Sequence, residues 1–437
     1  MVNSSYYIFR HRIPFTVSNS NLKYYVIQGQ EWNSHREPST QRFERHRFSG
    51  GHRNVVLMTD DPRERATTLL RQNRSDPDPE DASEFGAMLS ADDPTLRRYG
   101  LDGLQILAGR DPSVLDDRVA SIADLLTDTD REVRAGASAI FAGSLPGDTV
   151  LDESDTLADL LTDEYPIVRW NALEALLEAA RTDPAACADY VEDVRSFLDA
   201  DAGHARTHAV RFLGLVSMER PDAVAPVTDR LLAVLDSSAD VEVPVDASAR
   251  RRAPDMGSRV DDMADEGRKR LRDARQAAGH AIYEVAAADP DAVRPAVGTL
   301  CELLADPDPQ IRAVVLDALV ALAKADPEPV AEHVDRVAER LDDDATMVRA
   351  SASQALTGIS PAAPDAVASA ALDATDALGD LLDHESPAVR ASAASLLALA
   401  AERNPDAVAG VSDRLAELRE DDIGFVREAA VDALADR

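Results

Sequence analysis

An arginine behind an aliphatic residue recurs along this chain, at Arg97, Arg134, Arg169, Arg206, Arg275, Arg312, Arg349, Arg390 and Arg427. The intervals are 37, 35, 37, 69, 37, 37, 41 and 37 residues. No other feature restricts the fold as much. A period of this length is too short for a domain and long enough for one helical hairpin, which cannot bury its own apolar face and must stack on copies of itself.

Other columns keep the same register. Three residues after each arginine stand Gly100, Ala137, Ala172, Ala209, Ala278, Val315, Ala352, Ala393 and Ala430. Seven after stand Leu104, Phe141, Leu176, Leu213, Ile282, Leu319, Leu356, Leu397 and Leu434. Offsets 3 and 7 share one helical face, so the small residue admits a neighbouring helix and the large one fills the space between. An aspartate lies six residues before the arginine in five copies: Asp128, Asp163, Asp306, Asp343 and Asp421. Helix-opening residues stand in front (DPDPQIR, ESPAVR) and a second helical run precedes each copy (PDAVRPAVGTLCELL).

These columns, Asp-x5-[VIL]R-x2-A-x3-L, resemble the HEAT repeat, in particular the short HEAT-like repeats related to phycobilin lyases, and they cover about residues 79–437. The expected fold is an all-α, curved solenoid of nine HEAT-like helical pairs. Residues 58–78 provide a capping helix and linker. The resemblance implies that the second helix of each pair lines the concave face. It also implies a ladder between repeats built from Asp128, Arg134, Asp163, Arg169, Asp306, Arg312, Asp343, Arg349, Asp421 and Arg427. A guanidinium has five donors in a planar fork, enough to hold a turn carbonyl and a neighbour's carboxylate together. Ala91, Ala200, Lys269 and His384 occupy the aspartate column in the other copies and predict weak rungs there. On this reading Arg312 contacts Asp306, and losing Arg312 costs more than losing Arg275.

The 69-residue interval contains an insertion, expected to be a loop over 237–265 and locally basic through Arg250, Arg251, Arg252 and Arg259. It reads either as a docking loop for an acidic partner or as a tolerated insertion.

Residues 1–57 differ in kind. They hold no aspartate, three glutamates and eight Lys or Arg, and nine of the 19 aromatics of the chain. Three readings stay open: upstream sequence translated ahead of a true start at Met58, a basic arm for nucleic acid or an acidic partner, or a targeting peptide. The remainder holds 38 basic and 77 acidic residues, hence −39 of the total −34 once the +5 of the extension is removed. With only three lysines in 437 residues, the chain resembles the cytoplasmic proteins of salt-accumulating microbes, and a halophilic archaeal source is the expectation. Such a surface repels nucleic acid and anionic membranes. No apolar run is long enough to span a bilayer. Cys187 and Cys301 read as buried thiols of a reducing cytoplasm.

Catalytic motifs are missing. GxxxxGK[ST], HExxH, CxxC and GxSxG do not occur. Only His384–Glu385 has the His-Glu order that the di-iron HEAT enzymes repeat, and the acidic balance opposes the DNA-glycosylase type despite Trp170 and Asp102. No catalytic, cofactor or metal site is expected. The expected function is a monomeric, cytoplasmic protein-binding scaffold, the alternative being a lyase-like or DNA-repair-type HEAT enzyme module. Offsets 1, 2 and 5 of the arginine helices should face away from the core. There Arg98, Tyr99, Trp170, Asn171, Glu174, His208, Arg211 and His280 are the candidate partner-binding residues, with Arg250, Arg251 and Arg252 of the insertion.

Overall fold

The computed structural model describes residues 61–199, 204–237 and 254–435, with side chains from residue 265 onward in the last stretch. Among the described residues there are helices and turns and no strand. The first helix, Pro62–Ser75, precedes the repeats. Nine helices then carry the recurring arginines, here α1 to α9: Pro94–Ala108, Arg131–Gly143, Pro166–Thr182, His204–Glu219, Pro254–Ala288, Pro309–Ala325, Thr346–Ile359, Pro387–Arg403 and Gly424–Leu434. Many open as the sequence dictates. In α6, Pro309 follows the N-cap Asp308, whose carboxylate accepts from Gln310 N–H.

Each arginine helix follows a broken run of short α and 3-10 turns, such as Pro290–Val293, Arg294–Ala296 and Val297–Leu303. Prolines inside these runs (Pro226, Pro295) remove a donor and break the helix. Successive arginine helices pack side by side, and the broken runs form a second layer behind them. The chain is an all-α solenoid.

The core lies between the layers. Leu104, Phe141, Leu176, Leu213, Ile282, Leu319, Leu356 and Leu397 of the offset-7 column are fully buried, as are the alanines at offset 3. At Gly103 the Phe85 ring lies on the backbone, so close that a Cβ would stand 2.2 Å from Phe85 Cδ1. Offset 4 closes the seam to the next helix. Leu101, Ser138, Leu173, Val210, Leu316, Ser353 and Ala394 are buried there, whereas Val431 in α9 is 46% exposed, with no further helix beside it among the described residues.

The ladder runs forward. Arg312 Nη1 takes the carbonyls of Asp306 (2.8 Å) and Pro307 (3.3 Å), while Nε and Nη2 hold the carboxylate of Asp343 at 2.8 and 2.7 Å. Asp343 in turn accepts from Ala345 N–H at 3.0 Å, pinning the next turn. Four further rungs, Arg97–Asp128, Arg134–Asp163, Arg275–Asp306 and Arg390–Asp421, join adjacent repeats in this way. The carboxylate partner of Arg312 is therefore Asp343, not Asp306, which lends it only a carbonyl. The structure also removes the ground for ranking Arg312 above Arg275, since both hold a full rung. Arg275 has a full rung, its side chain is only 3% exposed, and Nε donates to Leu235 O at 2.8 Å. Because α5 is continuous through Lys269, no turn carbonyl is free there, and the end of the preceding run supplies one.

The vacancies fall on the arginine one repeat earlier. Arg169 keeps only the carbonyls of Asp163 and Glu164, Arg349 those of Asp343 and Asp344 plus Thr346 Oγ1, and neither forms an ion pair among the described residues. Arg206 Nε reaches Leu198 O at 3.1 Å.

The insertion is shorter than expected as a loop. α5 begins at Pro254, so residues 254–265 are helical rather than loop. Met256, Arg259, Met263 and Ala264 favour helix, and the packed part of α5 has already nucleated it. The segment that includes Arg250, Arg251 and Arg252 lies outside the described residues, as does the extension 1–57.

Candidate functional site

The face of α1 to α9 turned away from the broken runs collects the polar and aromatic side chains. Trp170 of α3 lies across the seam to α4, its ring 5.2 Å from His204, edge to face, and 5.1 Å from His208. Burial pushes the His208 imidazole down to about 4, with Arg211 adding to the effect, so the ring is neutral at ordinary pH. Burial lowers His204 too, and Arg270 opposes its protonation further. The Trp170 Nε1–H and His208 Nδ1 are shielded and make no hydrogen bond of normal geometry. One turn along, burial pushes the Glu174 carboxyl up, partly offset by the Trp170 indole and Arg181. Arg211 crosses the next seam to Asp273 at 3.0 Å. His280 on α5 is exposed, and the protein around it holds its pKa below the ordinary value.

Toward α1, the Arg98 guanidinium lies 5.3 Å from the Tyr99 ring centroid and bonds Glu132 at 3.2 Å. Arg98 and Tyr99 are thus remote from Trp170 along the solenoid, two helices away, and the expected residues form two groups rather than one. Asn171 belongs to neither. It is 7% exposed, and its Nδ2 donates to Ala135 O and Ser138 Oγ, both at 3.1 Å. It pins α2 to α3 and has no surface to offer a partner, because offset 2 faces the preceding helix.

Asp102, Glu284, Asp317 and Ser351 also line this face, although none was expected from the sequence. Asp317 Oδ1 accepts from Ser351 Oγ at 2.7 Å, and burial lifts its carboxyl to about 6 despite that bond and Lys324. Burial raises Asp102 and Glu284 as well. Asp102 and Asp317 stand at the same offset 5 as Glu174, so the column itself carried the signal. None of these carboxylates forms an ion pair among the described residues, unlike the ladder aspartates. In Asp163 and Asp343 burial pushes the pKa up, but the paired arginine and a backbone N–H outweigh it and the net shift is downward.

Neither cysteine on the described chain is placed as a nucleophile. Cys187 and Cys301 are buried, and burial pushes both thiols up to about 11. Among the described residues no group of three or more His, Cys, Asp or Glu side chains is placed to hold a metal ion. No described helix is long and apolar enough to cross a membrane.

Residues 285–376, from the end of α5 into the eighth repeat, match the family model of the non-SMC mitotic condensation complex subunit 1. A comparison with curated protein sequences gives no match. Among solved structures, the crystal structure of an engineered protein is similar with a TM-score of 0.61 at 19% identity, covering 87% of this chain and 96% of that one. A designed armadillo repeat protein in complex with the peptide (KR)4 aligns with a TM-score of 0.41 at 17% identity, over 56% of this chain and 98% of that one. The likeness to the engineered protein agrees with a helical repeat fold.

Proposed function

We propose that this protein is a non-enzymatic scaffold that holds a protein segment along the face formed by α1 to α9. The observation that carries the reading is the Trp170 cluster. A half-buried indole held edge-on to one histidine ring and tilted against another is an amphipathic anchor of the kind interfaces concentrate their binding energy on. The unpaired carboxylates Glu174, Glu284 and Asp317 on neighbouring helices add acceptors for basic or hydrogen-bonding side chains of such a segment. A cytoplasmic setting belongs to the same proposal and rests on the two free, buried cysteines. Nucleic acid is disfavoured as the partner by the strongly acidic balance of residues 58–437.

The test is selection of peptides from a displayed library in concentrated salt, followed by affinity measurement. Trp170→Ala weakens the selected peptides at least about tenfold, the cost of losing one aromatic anchor. Met218→Ala, at an exposed position near the end of α4, leaves them unchanged. Peptides that bind both variants like the parent would refute the role of this face.

A further inference from the structure

We propose that the seam between α7 and α8 binds a compact oxyanion, a phosphate or a carboxylate, where the complete rungs hold an aspartate. Both halves of a rung are already in place. Arg349 is anchored as its counterparts are, with Nη1 on the carbonyls of Asp343 (2.8 Å) and Asp344 (3.2 Å), against 2.8 and 3.3 Å for Arg312. On the facing side, the His384 carbonyl accepts from Arg390 Nη1 at 2.9 Å, the role that Asp306 and Asp343 play for their own arginines. His384 Nδ1 accepts from Ser386 N–H at 3.1 Å, as Asp343 Oδ1 accepts from Ala345 N–H at 3.0 Å.

An Nδ1 that accepts leaves the proton of the neutral ring on Nε2. Complete rungs pair a guanidinium with the carboxylate of the next column residue; here that column position holds a donor instead. Arg349 Nη2 turns aside to Thr346 Oγ1 at 3.1 Å, and its Nε has no acceptor among the described residues. The Ser386 hydroxyl, at the N-cap of α8, makes no capping bond. An oxyanion between these groups accepts from Arg349 Nε and Nη2 on one side and from His384 Nε2–H or Ser386 Oγ–H on the other, in charge-assisted bonds. Of the other column positions without aspartate, residue 200 lies outside the described residues, and Lys269 sits inside a continuous helix with no turn of this kind.

The experiment follows the His384 ring by nitrogen-detected NMR in the full chain while inorganic phosphate replaces chloride at constant ionic strength. A saturable shift of that ring is expected, and Arg349→Gln abolishes it. At ten times its dissociation constant, phosphate slows amide exchange in the first turn of α8 about tenfold. His384→Asp, which supplies the missing carboxylate, shows slow exchange without phosphate and no response to it. A parallel titration with acetate separates the sources: a matching shift assigns the seam to a carboxylate side chain of a docked partner, and phosphate acting alone assigns it to a phosphate group. If neither anion gives a saturable shift, or phosphate protects His384→Asp as strongly as the parent, the proposal falls and Arg349 simply lies against the imidazole.

Discussion

The seams α6–α7 and α7–α8 differ by one side chain and otherwise repeat each other. In the first, Arg312 grips two carbonyls of its own turn and both oxygens of Asp343. In the second, Arg349 keeps the carbonyls, and His384 stands at the column position that Asp343 fills in the first. The carbonyl contacts are thus a property of the repeat, and the inter-repeat tie is a property of the next repeat's column residue. The same contrast divides the molecule. Rungs tie repeats 1 to 3, 5 to 7 and 8 to 9, while among the described residues neither seam of repeat 4 has a rung; the Trp170 ring contacts cross the first and the Arg211–Asp273 pair crosses the second.

The largest effect should separate tied from untied arginines. Arg312→Ala and Arg275→Ala each leave a shielded carboxylate without its cation and cost about 3 kcal/mol in the flanking repeats. Arg349→Ala loses two carbonyl bonds and one to the Thr346 hydroxyl, with no carboxylate stranded, about 1 kcal/mol. Native-state hydrogen exchange is the suitable measure, because a repeat array opens locally rather than all at once. Equal costs at the three positions would end the distinction.

A smaller effect should appear at the untied repeat 4. His208 has its folded pKa lowered to about 4, so its contribution is complete above the unfolded value near 6.5 and is lost as pH falls from there toward 4. His208→Phe keeps the stacking on Trp170 and removes that loss, which a pH series of amide exchange in α4 would register. Ladder carboxylates behave alike in sign but lower in range. Asp343 is held below its ordinary value and loses its contribution only as pH falls through its depressed folded pKa.

The smallest expected effect concerns Asp317, where the sign is opposite. Its folded pKa, raised to about 6, makes the ionised form a cost that grows as pH rises from the unfolded value near 4 through 6. Asp317→Asn should stabilise α6 at pH 8 by about 1 kcal/mol, since partial solvent contact screens much of the penalty, and by nothing at pH 3. Stabilisation that ignores pH would show that Asp317 is not the titrating group.

Periodicity made most of the architecture legible. Nine arginines, with alanine in seven copies at offset 3 and a large apolar residue in all at offset 7, require stacked helices, since no single pair can bury both columns. The ladder was legible as a set of residues but not as a set of pairs. Arg312 is six residues from Asp306 and 31 from Asp343, and only the stacking geometry sends its fork forward instead of back. The insertion shows a different limit. Local composition reads 254–265 as a loop, but continuity with the packed part of α5 makes it helix.

For the candidate site the division is sharper. Offset alone nominated Trp170, His208 and Asn171 together. Packing then placed two of them in one aromatic cluster and consumed the third in a seam, because offset 2 meets the preceding helix at a distance that only neighbouring side-chain sizes decide. Sequence by itself determined that this chain is a solenoid and which residues mark each turn of it. The tertiary structure decided which charges are neutralised and which are left unpaired on the outer face, since desolvation and pairing exist only once the helices stand side by side.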